Sequence, residues 1–89
     1  MTTKLREFKA KYMAKLLNLK KQLLEKYPER RDRVEHVVDV LAAKLEHLRV
    51  YTLPDYLFTL HLAAKEFREI EELVPSEQEV EELLEREDL

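Results

Sequence analysis

Histidine is the residue type in this chain best suited to acid–base chemistry or metal binding, and it occurs three times, at His36, His47 and His61. His36 and His47 are eleven residues apart, which on one helix places them on the same face but three turns, about 16 Å, apart. They cannot bind one metal ion together, and the chain has no Glu-x-x-His pair of the kind that builds di-metal sites in helical bundles. We therefore expect no metal and no cofactor, and we interpret these histidines as interface side chains that form hydrogen bonds across a seam.

Other catalytic chemistry is restricted by residues that the chain lacks. It has no glycine and no cysteine, and its one serine, Ser76, stands where a helix cap is expected. Phosphate-binding loops and nucleophile elbows need backbone conformations that glycine provides, and zinc knuckles and thiol catalysis need cysteine. Composition therefore favours a protein that is not an enzyme.

One short string offers an enzymatic alternative. The residues Arg31-Asp-Arg-Val-Glu-His36 resemble the Arg-x4-His motif of HEPN-type ribonucleases, over six of the 89 residues. Members of that family are helical and commonly dimeric, with the motif at the subunit interface. The resemblance implies that His36 acts on the 2′-hydroxyl or the leaving group and that Arg31 holds phosphate. The competing interpretation is that Arg30, Arg31 and Arg33 form ion pairs with acidic residues.

Charge is divided along the chain. Residues 1–33 have a formal charge of +7 and residues 34–89 a charge of −10. We favour the interpretation that the two parts attract each other, within or between chains. The alternative is that the first predicted helix binds nucleic acid, nonspecifically and with a steep dependence on salt. The residues that would carry this binding are Lys4, Lys11, Lys15, Lys21, Arg30 and Arg31.

Three prolines, at positions 28, 54 and 75, divide the chain into four helical segments, because proline is tolerated in the first turn of a helix and disrupts its middle. Two capping boxes, Thr52–Asp55 and Ser76–Glu79, mark the starts of the last two segments. We predict helices near residues 4–26, 28–51, 53–73 and 77–87. With such short connections, neighbouring helices must be antiparallel. The expected fold is a single all-α domain over residues 1–89, an antiparallel bundle of three to four helices.

Apolar residues in these helices exceed what one small core can cover. The first has a stripe from Leu5 to Tyr27, and the second has a seam from Val34 to Leu48 spaced 4-3-4-3. On its opposite side the second helix carries another series, His36, Val40, Ala43, His47 and Val50. In the third, Phe58, Leu62 and Leu73 point away from the main apolar face. A helix with two apolar faces is central in its own bundle or shared with another chain.

The sequence therefore predicts a non-enzymatic interaction or assembly module, a homodimer formed through the second and third helices. The candidate interface residues are His36, Val40, Ala43, His47, Phe58 and Leu62. No segment reaches the ~18 apolar residues of a membrane span, and the N-terminus lacks a signal-peptide core, so we expect a soluble, cytoplasmic protein without a membrane partner. The many Glu, Lys and Arg residues are typical of thermostable or designed proteins.

Overall fold

A computed structural model describes residues 3–87, with side chains described for residues 4–85. Four α-helices follow one another along the chain: α1 (Thr3–Lys26), α2 (Arg31–Glu46), α3 (Leu53–Glu66) and α4 (Glu77–Glu87). Between them lie 3-10 helices at Pro28–Arg30, Val50–Thr52 and Arg68–Leu73. This part of the chain contains no strand, and the prediction of an all-α antiparallel bundle is confirmed.

Helix α1 packs through the stripe that its spacing predicts. Leu5, Leu16 and Leu23 are each nearly inaccessible to solvent, and Phe8 and Tyr12 stack beside them with ring centroids 4.6 Å apart. Tyr27, which ends the stripe, is half-buried and lies edge-on to Phe67 at 5.3 Å. The side of α1 that faces the core is therefore continuous from its first turn to the break before Pro28.

The predicted seam of the second helix, Val34, Val38, Leu41, Leu45 and Leu48, is buried, but α2 is shorter than predicted and Leu48 lies beyond its end. The helix begins at Arg31, after a single 3-10 turn led by Pro28, and it ends at Glu46 rather than at residue 51. His47 already has φ −98° and ψ 18°; its N–H donates to the Ala43 carbonyl, and the next N–H, that of Leu48, donates to the Leu45 carbonyl. Val50 consequently lies in the following 3-10 helix and does not extend the outer series of α2.

Helix α3 ends at Glu66, where the prediction of one helix over 53–73 is wrong. Phe67 is extended, with φ −129° and ψ 102°, and the chain then continues as a 3-10 helix, Arg68–Leu73. Phe67, Ile70 and Leu73 are all buried. Their spacing of three residues matches the three residues per turn of a 3-10 helix, so all three point to the same side. Leu73 therefore packs in the core, and its predicted outward position is also wrong.

The two predicted capping boxes have different outcomes. At the start of α4, the backbone N–H of Glu79 donates to Ser76 Oγ at 3.1 Å, so Ser76 caps the helix as expected. The Glu79 carboxylate, however, binds α1. At the start of α3, Thr52 makes no capping hydrogen bond, and its Oγ1 accepts from the Arg49 N–H at 2.9 Å. The Thr52–Asp55 box is therefore wrong, because Thr52 closes the preceding 3-10 turn.

The core is one cluster that takes side chains from all four helices and from the Arg68–Leu73 segment. Helix α4 contributes Leu83, which is buried, while Val80 packs at the margin and Leu84 is 39% exposed. Within residues 4–85, every buried polar side-chain atom has a hydrogen-bond partner. None of the helices described is long and apolar enough to cross a membrane.

Candidate interaction surface on α2 and α3

Two ion pairs set the register between α2 and α3. Lys44 Nζ lies 2.7 Å from Asp55 Oδ2 at one end, and Arg33 Nε lies 2.6 Å from Glu66 Oε2 at the other. A second bond, from Arg33 Nη2 to Glu66 Oε1 at 3.0 Å, makes the Arg33 pair bidentate. The helices are thus antiparallel, and each residue of α2 has a counterpart on α3 at the same height.

Between these ion pairs the two helices form an open groove. Its Arg33–Glu66 end has a volume of about 190 Å³ and exposes mainly apolar atoms, among them those of Val40 and Leu62. His36 and Thr59 stand along the same stretch. The other end, about 280 Å³, is lined by Ala43, Lys44, His47, Thr52 and Asp55. Two shallow, largely apolar recesses therefore follow one another along the outside of the α2–α3 pair, and we call them together the groove.

Large apolar side chains stand exposed beside this groove. Phe58 is 62% exposed and Leu62 is 50% exposed. Val40 is half-buried, whereas His36, Ala43 and His47 are exposed. Five of the six predicted interface residues line the groove, and the sixth, Phe58, lies one turn before Leu62 on α3. We define the α2–α3 face as these six residues and the half-buried Thr59: His36, Val40, Ala43, His47, Phe58, Thr59 and Leu62.

The third histidine lies apart from the other two. His61 is exposed on α3, and the helical repeat places it 100° or more around the helix from the groove-lining residues Asp55, Thr59 and Leu62. His61 therefore does not line the groove, whereas His36 and His47 do. Within the described chain, no group of three or more His, Asp or Glu side chains is arranged to hold a metal ion.

The residues of the ribonuclease-like string do not meet in one pocket. Arg31 and His36 are five residues apart on α2, which corresponds to about 140° around the helix axis. Arg31 Nε faces Glu35 Oε1 at 3.9 Å, whereas His36 lines the groove. The arginine that shares the groove with His36 is Arg33, and the Glu66 carboxylate already occupies its guanidinium.

The basic residues of the first part of the chain face acidic residues of the last part. Lys11 Nζ lies 3.0 Å from Glu79 Oε2, and Lys4 Nζ lies 3.6 Å from Glu82 Oε2. Arg30 joins Arg33 on Glu66, and Lys26 pairs with Glu69. Of the predicted nucleic-acid residues, Lys4, Lys11 and Arg30 are thus engaged within the chain. Lys15 Nζ lies 5.1 Å from the centre of the Tyr12 ring, and Lys21 is exposed on α1.

These contacts perturb the ionisation of the acidic partners. Hydrogen bonds from Arg33 lower the pKa of Glu66, and the bond from Lys26 lowers the pKa of Glu69. Partial burial opposes ionisation of Glu79, but bonds from Tyr12 and Lys11 outweigh it and lower the pKa. Burial, followed by the Glu79 carboxylate, raises the pKa of Tyr12. These groups form the ion pairs and hydrogen bonds that hold the helices together.

Sequence reasoning missed Arg33, Thr59 and Glu66 as groove residues. The signal for Thr59 was present, because it lies midway between Asp55 and Leu62 along one side of α3. The pairing of Arg33 with Glu66 depends on the register of two helices and has no local signal. Comparison of the chain with protein-family models, with curated proteins and with solved structures finds no match.

Proposed function

We propose that this protein is a non-enzymatic interaction module that self-associates as a homodimer through the α2–α3 face. One observation carries the proposal: Phe58 and Leu62, one turn apart on α3, stand half or more exposed beside an apolar groove. Contiguous exposed apolar surface on a small protein marks an interaction site.

Burial of this face would supply a driving force of useful size. Covering a Phe or Leu side chain completely contributes on the order of 2 kcal/mol, and each occurs twice in a symmetric dimer. Because Leu62 is half exposed and Phe58 is more than half exposed, dimerisation can still gain half of this free energy at Leu62 and more than half at Phe58. The gain must offset the entropy lost on association, so Val40 and Ala43 need to be covered as well.

The dimensions of the face set the expected affinity. Helix α2 has 16 residues, or about 24 Å of length, and the molecule is 20 Å across its second axis. Two such faces together bury on the order of 1,000 Å², near the lower limit for a specific interface. We therefore expect a weak, reversible dimer.

Sedimentation velocity across a concentration series tests the proposal. The wild-type chain should shift from monomer to dimer as concentration rises, and Phe58→Asp with Leu62→Asp should remain monomeric. Leu17→Asp is the matched control, because Leu17 is 53% exposed but lies on α1. Circular dichroism verifies that each variant is folded. A wild-type chain that stays monomeric at millimolar concentration, or a Leu17→Asp variant that dissociates as fully as the double variant, overturns the proposal.

Two further assays test the alternative functions. Retention on heparin that Lys11→Glu with Lys15→Glu abolishes would show nucleic-acid binding by α1 instead. RNA cleavage that disappears in His36→Ala would show a ribonuclease. The paired lysines and the separation of Arg31 from His36 lead us to expect neither result.

A further inference from the structure

The two helices of the α2–α3 face carry opposite charges on their outer edges. On α2, Asp32, Asp39 and Glu46 follow at intervals of seven residues, so they form one row beside the face. All three are exposed. None of them forms an ion pair within residues 4–85, unlike Glu66 and Glu79 on the other elements.

The outer edge of α3 has no carboxylate. His61 and Lys65 are exposed there, next to Phe58, and Arg68 follows in the 3-10 helix. These three side chains also form no ion pair within the described residues. The apolar face is thus bordered by an acidic edge on α2 and a basic or neutral edge on α3.

A two-fold axis that relates two such faces must lie in the plane between them, and it has two limiting directions. If the axis runs across the helices, α2 packs on the α2 of the second copy. The acidic edge then faces itself, and like charges close together oppose association. If the axis runs along the groove, α2 of each copy packs on α3 of the other, and the acidic edge faces the basic one.

The second direction also fixes which residues meet. A two-fold rotation produces no movement along its own axis, so residues at equal height along the groove come together. The ion pairs Lys44–Asp55 and Arg33–Glu66 define those heights. The height of His61 in one copy then differs from that of Asp39 in the other by one residue, or about 1.5 Å along the groove. The height of Lys65 differs from that of Asp32 in the other copy by two residues, or about 3 Å.

We infer that two copies of this chain pair about a two-fold axis parallel to the α2–α3 groove, so that Asp39 of each copy meets His61 of the other and Asp32 meets Lys65. This inference rests on the proposed homodimer and adds its orientation. The charged edges select one of two apolar packings.

Cross-linking tests the orientation directly, because the chain has no cysteine of its own. Two single variants, Asp39→Cys and His61→Cys, are mixed, equilibrated and treated with a short bis-maleimide. The mixture should give a cross-linked dimer that contains one copy of each variant, and Asp39→Cys alone should give little. An axis across the helices predicts the reverse, with efficient cross-linking of Asp39→Cys to itself, and that result overturns the inference.

Charge exchange provides a second readout. Lys65→Glu should weaken the dimer, raising its dissociation constant on the order of 3- to 10-fold at low salt, and combination with Asp32→Lys should restore most of the affinity. The effect should shrink in 1 M salt because exposed charges are screened. If Asp32→Lys alone tightens the dimer, the acidic edges face each other and the inferred axis is wrong.

Failure of the inference and failure of the proposed function give different results. A wild-type chain that sediments as a monomer at every concentration removes the dimer itself. A dimer that Phe58→Asp with Leu62→Asp dissociates, but in which Asp39→Cys cross-links to itself, retains the proposed function and rejects only the orientation.

Discussion

Tyr12 and Tyr27 each place a phenolic hydroxyl against a glutamate, but the two hydrogen bonds differ in quality. Tyr12 is buried, and its hydroxyl donates to Glu79 Oε1 at 2.6 Å. Tyr27 is half-buried, and its hydroxyl lies 3.2 Å from both carboxylate oxygens of Glu69. Hydrogen bonds to charged groups contribute more when they are short and shielded from water. The Tyr12–Glu79 bond is therefore the principal polar contact between α1 and α4.

Removal of the Tyr12 hydroxyl should destabilise the protein by about 1.5–2.5 kcal/mol, because the partly buried Glu79 carboxylate loses its best donor. Tyr27→Phe is the matched control and should cost about 0.5–1 kcal/mol, since that bond is longer and more exposed. The free energy of unfolding in urea, at one protein concentration, measures both. A Tyr27→Phe variant that loses as much stability as Tyr12→Phe would contradict this assignment.

At the scale of the element, boundaries marked by local chemistry were predictable, among them the end of α1 at Lys26 before Pro28, whereas the ends of α2 and α3 were not. Pro28 and Pro54 stand in the first turns of helical segments, and Ser76 caps α4, because each acts through its own local chemistry. The ends of α2 and α3 have no glycine or proline to mark them. Beyond Glu66 the apolar residues recur every three positions. This spacing is close to the 3.6-residue repeat of an α-helix, so the sequence pattern predicts that α3 continues through this segment.

The two capping positions give a prediction about individual helices. Ser76→Ala should cost about 1 kcal/mol and increase hydrogen exchange at the first-turn amides of α4, which lose the Ser76 Oγ acceptor. Helix α4 should respond strongly, since Leu83 is its one buried side chain in the described range. Thr52→Ala should leave first-turn exchange in α3 unchanged, because Thr52 bonds to Arg49 and not to α3. Faster exchange in α3 after Thr52→Ala would show that the residue caps that helix after all.

At the scale of the whole molecule, the sequence predicted the sign of the charge interaction but not its pairing. The division into basic and acidic parts favoured attraction between them, and Lys4, Lys11 and Lys26 do meet acidic partners far along the chain. Which acid meets which base depends on the packing of α1 against α4 and the 3-10 segment.

The same limit applies to the α2–α3 face. Six of its seven residues followed from the outward-facing positions of the second and third predicted helices, whereas the groove and its Arg33–Glu66 end required the register of two helices.

The ion-paired glutamates and a buried tyrosine make the free energy of unfolding decrease at both low and high pH. On the acid side, Glu66, Glu69 and Glu79 have folded-state pKa values below the ordinary value of 4.5, so their stabilising effect is complete above that value and is lost as pH falls through the folded values. On the alkaline side, burial raises the pKa of Tyr56 to about 12 from its ordinary 10.0. The folded state retains the Tyr56 proton longer than the unfolded chain does, so stability falls as pH rises from 10 towards 12.

We therefore expect the urea midpoint to be highest between about pH 5 and pH 9 and to fall on both sides. Replacement of Glu66, Glu69 and Glu79 together by glutamine should lower the midpoint at pH 7 and flatten the acid side of the profile. Glu71→Gln is the matched control, since Glu71 is exposed and forms no ion pair in the described part of the chain, and it should leave the profile unchanged. Tyr56→Phe should make the alkaline side less steep without affecting the acid side, and part of the alkaline loss should remain because the pKa of Tyr12 is raised as well. A midpoint that rises between pH 5 and pH 3 in the wild-type chain would mean that these ion pairs do not stabilise the bundle.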